Sequence, residues 1–354
     1  VKRVAALLAA AGMIAAAMLV RGWLDQRDQP GGGGSPASGD QLTLVCVTEL
    51  EAVCVQLARN QPGIQVRTED VATTIASLSA SDADASAVDG WLTFAPFPEL
   101  VDEQRARAGL QPILADPTAP LARSPLVMAV WNDRRAVLET ACPAGGITWR
   151  CVGELAGRPW VDLGGGAAWG AVKPGQPTPD RTAAGWLALA QAAGSWFGRT
   201  DFAANDFQDP AFRRWFEQLE RGVPSYPPPP RTALEEMLSK GPATFDMAAS
   251  TEAAAAGPIA RSRVNDQLSI IYPSPLSTAD VVLAPVAGSD GEARLRRLVE
   301  SHDAADALTG QGWRVDGQPP AGGVPGEPPL PPDSGLPRAG VLQALRTLWI
   351  EVIR

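Results

Sequence analysis

The sequence predicts an α/β protein built as two lobes, and three observations carry that expectation. Short apolar runs alternate with amphipathic helix patterns from Leu42 to about Asp316. One β-favouring run, 121–131, is entered through Ser124-Pro125, where the proline holds Ser124 extended so that a strand can begin and a helix cannot. The 354 residues, 45% of them apolar, are ample for one large two-lobed unit or two domains. The run 121–131 separates an upstream set of elements from a downstream set with its own apolar residues. It reads as the crossover between lobes, with Ser124 facing the cleft.

At the N-terminus, Lys2 and Arg3 precede an apolar run, 4–20, closed by Arg21. Basic flank first and apolar run second is the pattern of an export signal or an N-in anchor. Arg21, Trp23 and Leu24 stand where a small-x-small cleavage site would be, so an uncleaved signal-anchor over 1–22 is preferred to cleavage. A flexible Gly/Ser/Pro tether, 23–41, follows. The expected location is the cell membrane, single-pass, with the folded part outside the cytosol. Four cysteines fit export: Cys46 lies near Cys54, and Cys142 near Cys151. Local pairing is the simplest of three connectivities, with four buried thiols as the alternative.

In the first lobe, 42–47 reads as a strand and Thr48 as a helix start, with Thr48 and Glu51 at capping-box spacing. Leu50, Val53, Cys54 and Leu57 then form an amphipathic stripe. The runs 64–68 and 88–93 read as further strands around a helix at 71–78, which favours a mostly parallel sheet whose strand ends face a ligand cleft. Thr48, Glu49, Asp89 and Trp91 lie at such ends. Thr48 is as readily an ordinary cap, and Trp91 a core or wall residue.

Beyond the crossover, 134–140 reads as a helix and 160–163, containing Asp162, as a strand followed by three glycines. No G-x-G-x-x-G or P-loop lysine accompanies those glycines, which argues against nucleotide binding. Thr182 opens an Ala-rich helix, and Phe212, Trp215, Phe216 and Leu219 form a second stripe. Thr232 and Glu235 make another capping box. The run 243–248 reads as a strand, and Ser250-Thr251-Glu252 opens a helix. Two apolar strands follow at 268–272 and 281–286, then a charged helix from Asp290 with His302 late in it. Gly310 to Trp313 is expected to close the globular part, leaving a Pro/Gly-rich linker and an amphipathic tail helix over 317–354.

Composition narrows the chemistry. A net charge of -9 leaves no basic face for nucleic acid. His302 is the one histidine, so multi-His metal sites are impossible and a Ser-His-Asp triad would have to use this surface residue. No G-x-S-x-G elbow or S-x-x-K pattern points to a hydrolase. No cofactor is expected.

The layout is similar to the type II extracellular solute-binding proteins, in an actinobacterial-looking, membrane-tethered variant. The carrying residues are Thr48-Glu49-Leu50, Asp89-Gly90-Trp91-Leu92, Ala122-Arg123-Ser124-Pro125-Leu126, Thr182-Ala183-Ala184-Gly185, Ser250-Thr251-Glu252, Tyr272-Pro273-Ser274 and Gly312-Trp313. The resemblance spans 42–316 and implies a periplasmic-binding-protein-like clamp rather than an enzyme: lobe I over 42–122 and 247–316, lobe II over 123–246. It implies a cleft lined by Thr48, Glu49, Trp91, Ser124, Asp162, Thr182 and Thr251, with a membrane transporter or surface protein as partner. Members that bind oxyanions use hydroxyls and helix N-terminal amides. Glu49 beside Thr48 would repel an anion, so a cationic or neutral polar solute is expected. The alternative is the same fold reused as a protein-interaction scaffold without a small ligand.

Overall fold

The structure is a computed structural model that describes residues 41–84, 87–143, 145–318, 324–326 and 328–353. The expected signal-anchor at 1–22 and nearly all of the tether lie outside the described residues. Among the described residues no helix is long and apolar enough to cross a membrane.

The first sheet starts with β1 (Leu42–Val47), whose neighbours β2 (Ile64–Glu69) and β3 (Gly90–Phe94) both run parallel to it. α1 (Glu51–Asn60) and α2 (Val71–Ser79) make the crossovers, and α1 buries Val53, Cys54 and Leu57 as its stripe requires. β8 (Thr278–Pro285) pairs antiparallel with β3, setting Leu92 opposite Leu283. β4 (Ala122–Trp131) then passes between the two sheets. Its first four residues pair antiparallel with β8, with Ser124 opposite Ala279. Its remaining residues pair with β6 (Met247–Thr251) and β7 (Leu268–Ile271). The crossover reading of 121–131 is therefore what the fold shows.

The mostly parallel sheet is a correction. The pairs β3–β8, β4–β8, β4–β6 and β4–β7 are antiparallel, and the two-residue β5 (Pro174–Gly175) adds one parallel pair with β6. The return to the first sheet also comes later than residue 247. β6, β7 and the intervening α9 (Glu252–Arg261) sit with the far half of β4, and the chain crosses back at Ser277-Thr278.

Trp160–Leu163 is a 3-10 turn and not a strand. Trp160 is pulled inward, donating from Nε1 to Asp246 Oδ2 at 3.0 Å, while Gly164 reverses the chain at φ 87. The same Asp246 carboxylate meets the buried Arg134 guanidinium at 3.0 Å. Helices α4 (Asn132–Ala141), α5 (Trp149–Leu155), α6 (Ala183–Phe197), α7 (Pro210–Arg221) and α8 (Ala233–Lys240) complete the second lobe. The stripe Phe212, Trp215, Phe216 and Leu219 on α7 is buried, and Thr232 and Glu235 form the expected capping box on α8. The charged helix is split: α10 (Glu292–Val299) ends before Ser301, which caps α11 (His302–Gly310), and His302 is exposed at its first position.

Both disulfides pair locally, Cys46 with Cys54 and Cys142 with Cys151. Loops this short give about 2–3 kcal/mol each in the chain-entropy account.

The chain beyond residue 316 belongs to the same compact unit, Leu42–Arg354, rather than forming an appendage. α3 (Phe97–Arg107) lies between β3 and β4, and the tail helix α12 (Ala339–Ile353) packs on α3, α6 and α7. α12 buries Leu342, Leu345, Leu348 and Trp349. Each of these contributes roughly 1.5–3 kcal/mol of apolar transfer as an upper figure. Trp349 donates from Nε1 to Tyr226 Oη at 3.1 Å, and Tyr226 donates to Glu220 Oε2 at 2.6 Å. Burial pushes the Glu220 carboxyl up to about 7, although hydrogen bonds from Tyr226 and Gln176 pull it down.

Candidate functional site

A cavity of about 390 Å³ opens between the lobes. Its first-lobe wall is the start of α1 together with the segment after α11, and its second-lobe wall is α9. Glu49, Thr251, Arg261, Gln311 and Trp313 are among its lining residues. Gly312, at φ 85, brings this wall against α9: a Cβ there would stand 3.1 Å from the Ala253 carbonyl oxygen.

Glu49 is on a 3-10 turn, Thr48–Leu50, that leads β1 into α1. Val47 is extended and makes no side-chain cap, so the expected capping box between Thr48 and Glu51 does not form. Thr48 Oγ1 instead donates to the Glu69 carbonyl at 3.2 Å. The turn frees the Glu49 side chain to reach across to the second lobe, where Oε1 accepts the Ala184 N–H at 2.9 Å. Thr182 caps the same helix, its Oγ1 accepting the Gly185 N–H at 3.1 Å. Glu49 Oε2 is buried with no hydrogen-bond partner. Burial raises the Glu49 pKa, with the amides of Ala184, Glu49 and Ala183 opposing that rise and the Asp70 charge adding to it.

α9 opens in a matching way. Thr251 Oγ1 accepts the Ala254 N–H at 3.1 Å, and Ser124 Oγ accepts the Ala253 N–H at 2.9 Å. Glu252, at the first position of α9, is buried and paired with Arg314 through Nε–Oε1 at 2.7 Å and Nη2–Oε2 at 2.6 Å. Tyr272 Oη donates to the same carboxylate.

Of the residues expected in the cleft, Glu49 and Thr251 line the cavity. Ser124 is fully buried behind it, holding the start of α9, and Thr182 stands beside Glu49 at the start of α6. Trp91 is a core residue with no exposed surface. Thr48 turns toward Glu69, and Asp162 is exposed on the 3-10 turn, so neither lines the cavity. Sequence reasoning missed Arg261 and Gln311. Arg261 ends α9, where a basic residue reads as an ordinary match to the helix dipole, and Gln311 sits in a Gly-flanked loop with no pattern of its own. Among the described residues no group of three or more His, Cys, Asp or Glu side chains could hold a metal ion.

No family model matches the chain, and no curated sequence matches it. Solved structures do. A periplasmic thiamin-binding protein superposes with a TM-score of 0.59 at 12% identity, covering 91% of this chain and 100% of that one. Apo ferric ion-binding protein A of Pasteurella haemolytica gives 0.59 at 11%, covering 89% and 98%. The periplasmic binding protein AfuA of Actinobacillus pleuropneumoniae, with exogenous fructose-6-phosphate bound, gives 0.58 at 12%, covering 88% and 98%. The likeness is thus to binding proteins over nearly their whole length, and at these identities it concerns the fold. The chain has the two-lobed α/β fold of the periplasmic solute-binding proteins.

Proposed function

We propose that the chain is an extracytoplasmic solute-binding module that holds a small polar solute between its lobes. The cavity is the observation that carries this reading. Its volume of about 390 Å³ suits a small molecule, and its walls come from both lobes. Its lining includes Glu49, whose Oε2 is buried without a partner, and Arg261, which has no ion pair among the described residues. A neutral or zwitterionic solute, such as an amino acid, would present a donor or ammonium to Glu49 and an acceptor or carboxylate to Arg261. An oxyanion seated on the α6 amides would have to displace the Glu49 carboxylate already there. The neighbours named for thiamin, ferric ion and fructose-6-phosphate differ in ligand, so they favour solute binding without favouring one solute.

Two disulfides support an oxidising compartment, and Lys2 and Arg3 ahead of the apolar run support a membrane tether with the folded unit outside the cytosol. The partner on this reading is a membrane transporter or another surface protein. A second reading, a scaffold without small ligand, draws on one observation: Ser124, Thr182 and Thr251 all spend their hydroxyl oxygens on helix amides.

A thermal-shift screen of amines, amino acids, sugars and oxyanions separates these readings. A ligand at about 100 times its Kd adds roughly 2.7 kcal/mol to stability, which raises the melting temperature by several degrees. A zwitterionic or neutral polar hit is the expected result. A selective oxyanion hit would overturn the assigned chemistry, and silence in every class would favour the scaffold.

A further inference from the structure

We infer that the C-terminal segment 328–353 is a strap that holds the two lobes in one fixed arrangement. The chain passes between lobes twice, along β4 and at Ser277-Thr278, and the extended part of the segment is bonded to both crossings. Arg123, on β4, donates from Nη1 to the Pro331 carbonyl at 2.6 Å and from Nη2 to the Asp333 carbonyl at 2.7 Å. Its Nε meets Asp280 of β8 at 3.0 Å, so one guanidinium joins both crossing strands to the strap. At the second crossing the Thr278 N–H donates to the Ser334 carbonyl at 2.8 Å, and Ser277 Oγ donates to the Gly335 carbonyl at 2.7 Å. Proline explains why this segment serves. It has no N–H to satisfy and favours an extended chain, and in the stretch it holds extended the carbonyls of Pro331, Asp333, Ser334 and Gly335 accept from the crossings.

Gly335 fixes the fit. Its φ is 59, and a Cβ would stand 2.5 Å from the Leu276 carbonyl oxygen. α12 then spans from one lobe to the other. Gln104 of α3 donates to Gln343 Oε1 at 3.4 Å, on the first lobe. Arg346 pairs with Asp180 at 3.0 Å and lies 5.1 Å over the Trp186 ring, and Trp349 bonds Tyr226, all on the second lobe. A hinge rotation about the two crossings would move α3 away from α6 and α7, pulling α12 from one side or the other. Lobe motion therefore requires the strap to leave first. The inference stands apart from solute binding, since it concerns the chain without ligand.

Double electron–electron resonance on the full chain tests it, with nitroxides on Arg59→Cys in α1 and Ser239→Cys in α8, both exposed positions. With the strap intact and no solute added, one narrow distance distribution is expected. Leu345→Asp with Trp349→Asp releases α12 and should give a broader distribution with a component at longer distance. Gly335→Val, which displaces the extended part without touching the apolar core, should shift it the same way, and it stands in if the double variant fails to fold. Two distances or a broad distribution in the strap-intact chain would overturn the inference. So would an unchanged narrow distribution in a Gly335→Val chain that circular dichroism shows to be folded.

Discussion

α6 and α9 face the same physical problem at the cleft and solve it with different chemistry. Each starts with a threonine cap whose oxygen takes the third amide: Thr182 to Gly185, and Thr251 to Ala254. Each has its second amide taken by a side chain from far away in sequence. For α9 that side chain is the neutral Ser124 hydroxyl, from the crossover strand. For α6 it is the Glu49 carboxylate, from the other lobe. Each start also holds a buried carboxylate. Glu252 at α9 is matched by the fork of Arg314, whereas Glu49 at α6 has amides but no ion pair among the described residues. α9 is thus closed off by neutral and fully paired groups. α6 is closed by a carboxylate held only by amides, with one oxygen buried and unpartnered, and Glu49 is among the residues that line the cavity. The difference points to Glu49, the member of the α6 cluster that lines the cavity, as the group at which a solute can still make a bond.

Breaking the paired side should have the largest effect. Arg314→Met leaves Glu252 buried without its cation, and a loss of about 3–5 kcal/mol in folding stability is expected. Urea unfolding checks this, and a midpoint like that of the unsubstituted chain would mean the pair is not what holds α9.

The unpaired side predicts a pH effect. Burial raises the Glu49 pKa above its ordinary 4.5. The folded state then binds the proton more tightly than the unfolded chain does. The stability linked to Glu49 is fully present below 4.5 and is lost as pH rises through the raised value. Glu49→Gln removes the ionisation, so unfolding followed across that window should show a smaller loss with rising pH than in the unsubstituted chain. An identical slope would place the carboxylate in water rather than against α6.

The caps give the smallest effects. Thr182→Ala should cost about 1 kcal/mol as an ordinary N-cap loss. Ser124→Ala leaves the buried Ala253 amide without an acceptor and should cost about 1–3 kcal/mol. Chemical denaturation of the two variants side by side ranks them, and equal or reversed losses would show that Ser124 is not the more deeply committed hydroxyl.

Much of the fold is legible in the sequence because burial imposes periodicity. The stripes of α1 and α7, the capping residues of α6, α8 and α9, and the crossover at Ser124-Pro125 all show in local spacing. What is not legible depends on distant groups. Trp160 to Leu163 is apolar enough to read as a strand, and it is a turn because Gly164 reverses the chain at positive φ while Asp246, far along the chain, holds the Trp160 ring. Pro/Gly-rich sequence after 316 reads as a linker because nothing local tells that Arg123 and Thr278 bond to its carbonyls. In the site, hydroxyls at helix starts are visible, but a hydroxyl serves a cap and a solute with the same signature. Glu49 was legible as a charge at a strand end, while its partner Ala184, 135 residues on, was not. Arg261 carries only the signal of an ordinary basic residue at a helix end.

The central claim, that the inter-lobe cavity binds a polar solute through Arg261 and Glu49, is tested most directly by calorimetric titration. The best solute from the thermal-shift screen is titrated into the unsubstituted chain and into Arg261→Ala, whose exposed side chain can be removed without opening the core. Loss of a charge-assisted bond worth about 1.5–3 kcal/mol predicts affinity weaker by roughly 10- to 150-fold in the variant. Equal affinity in the two chains would contradict the account.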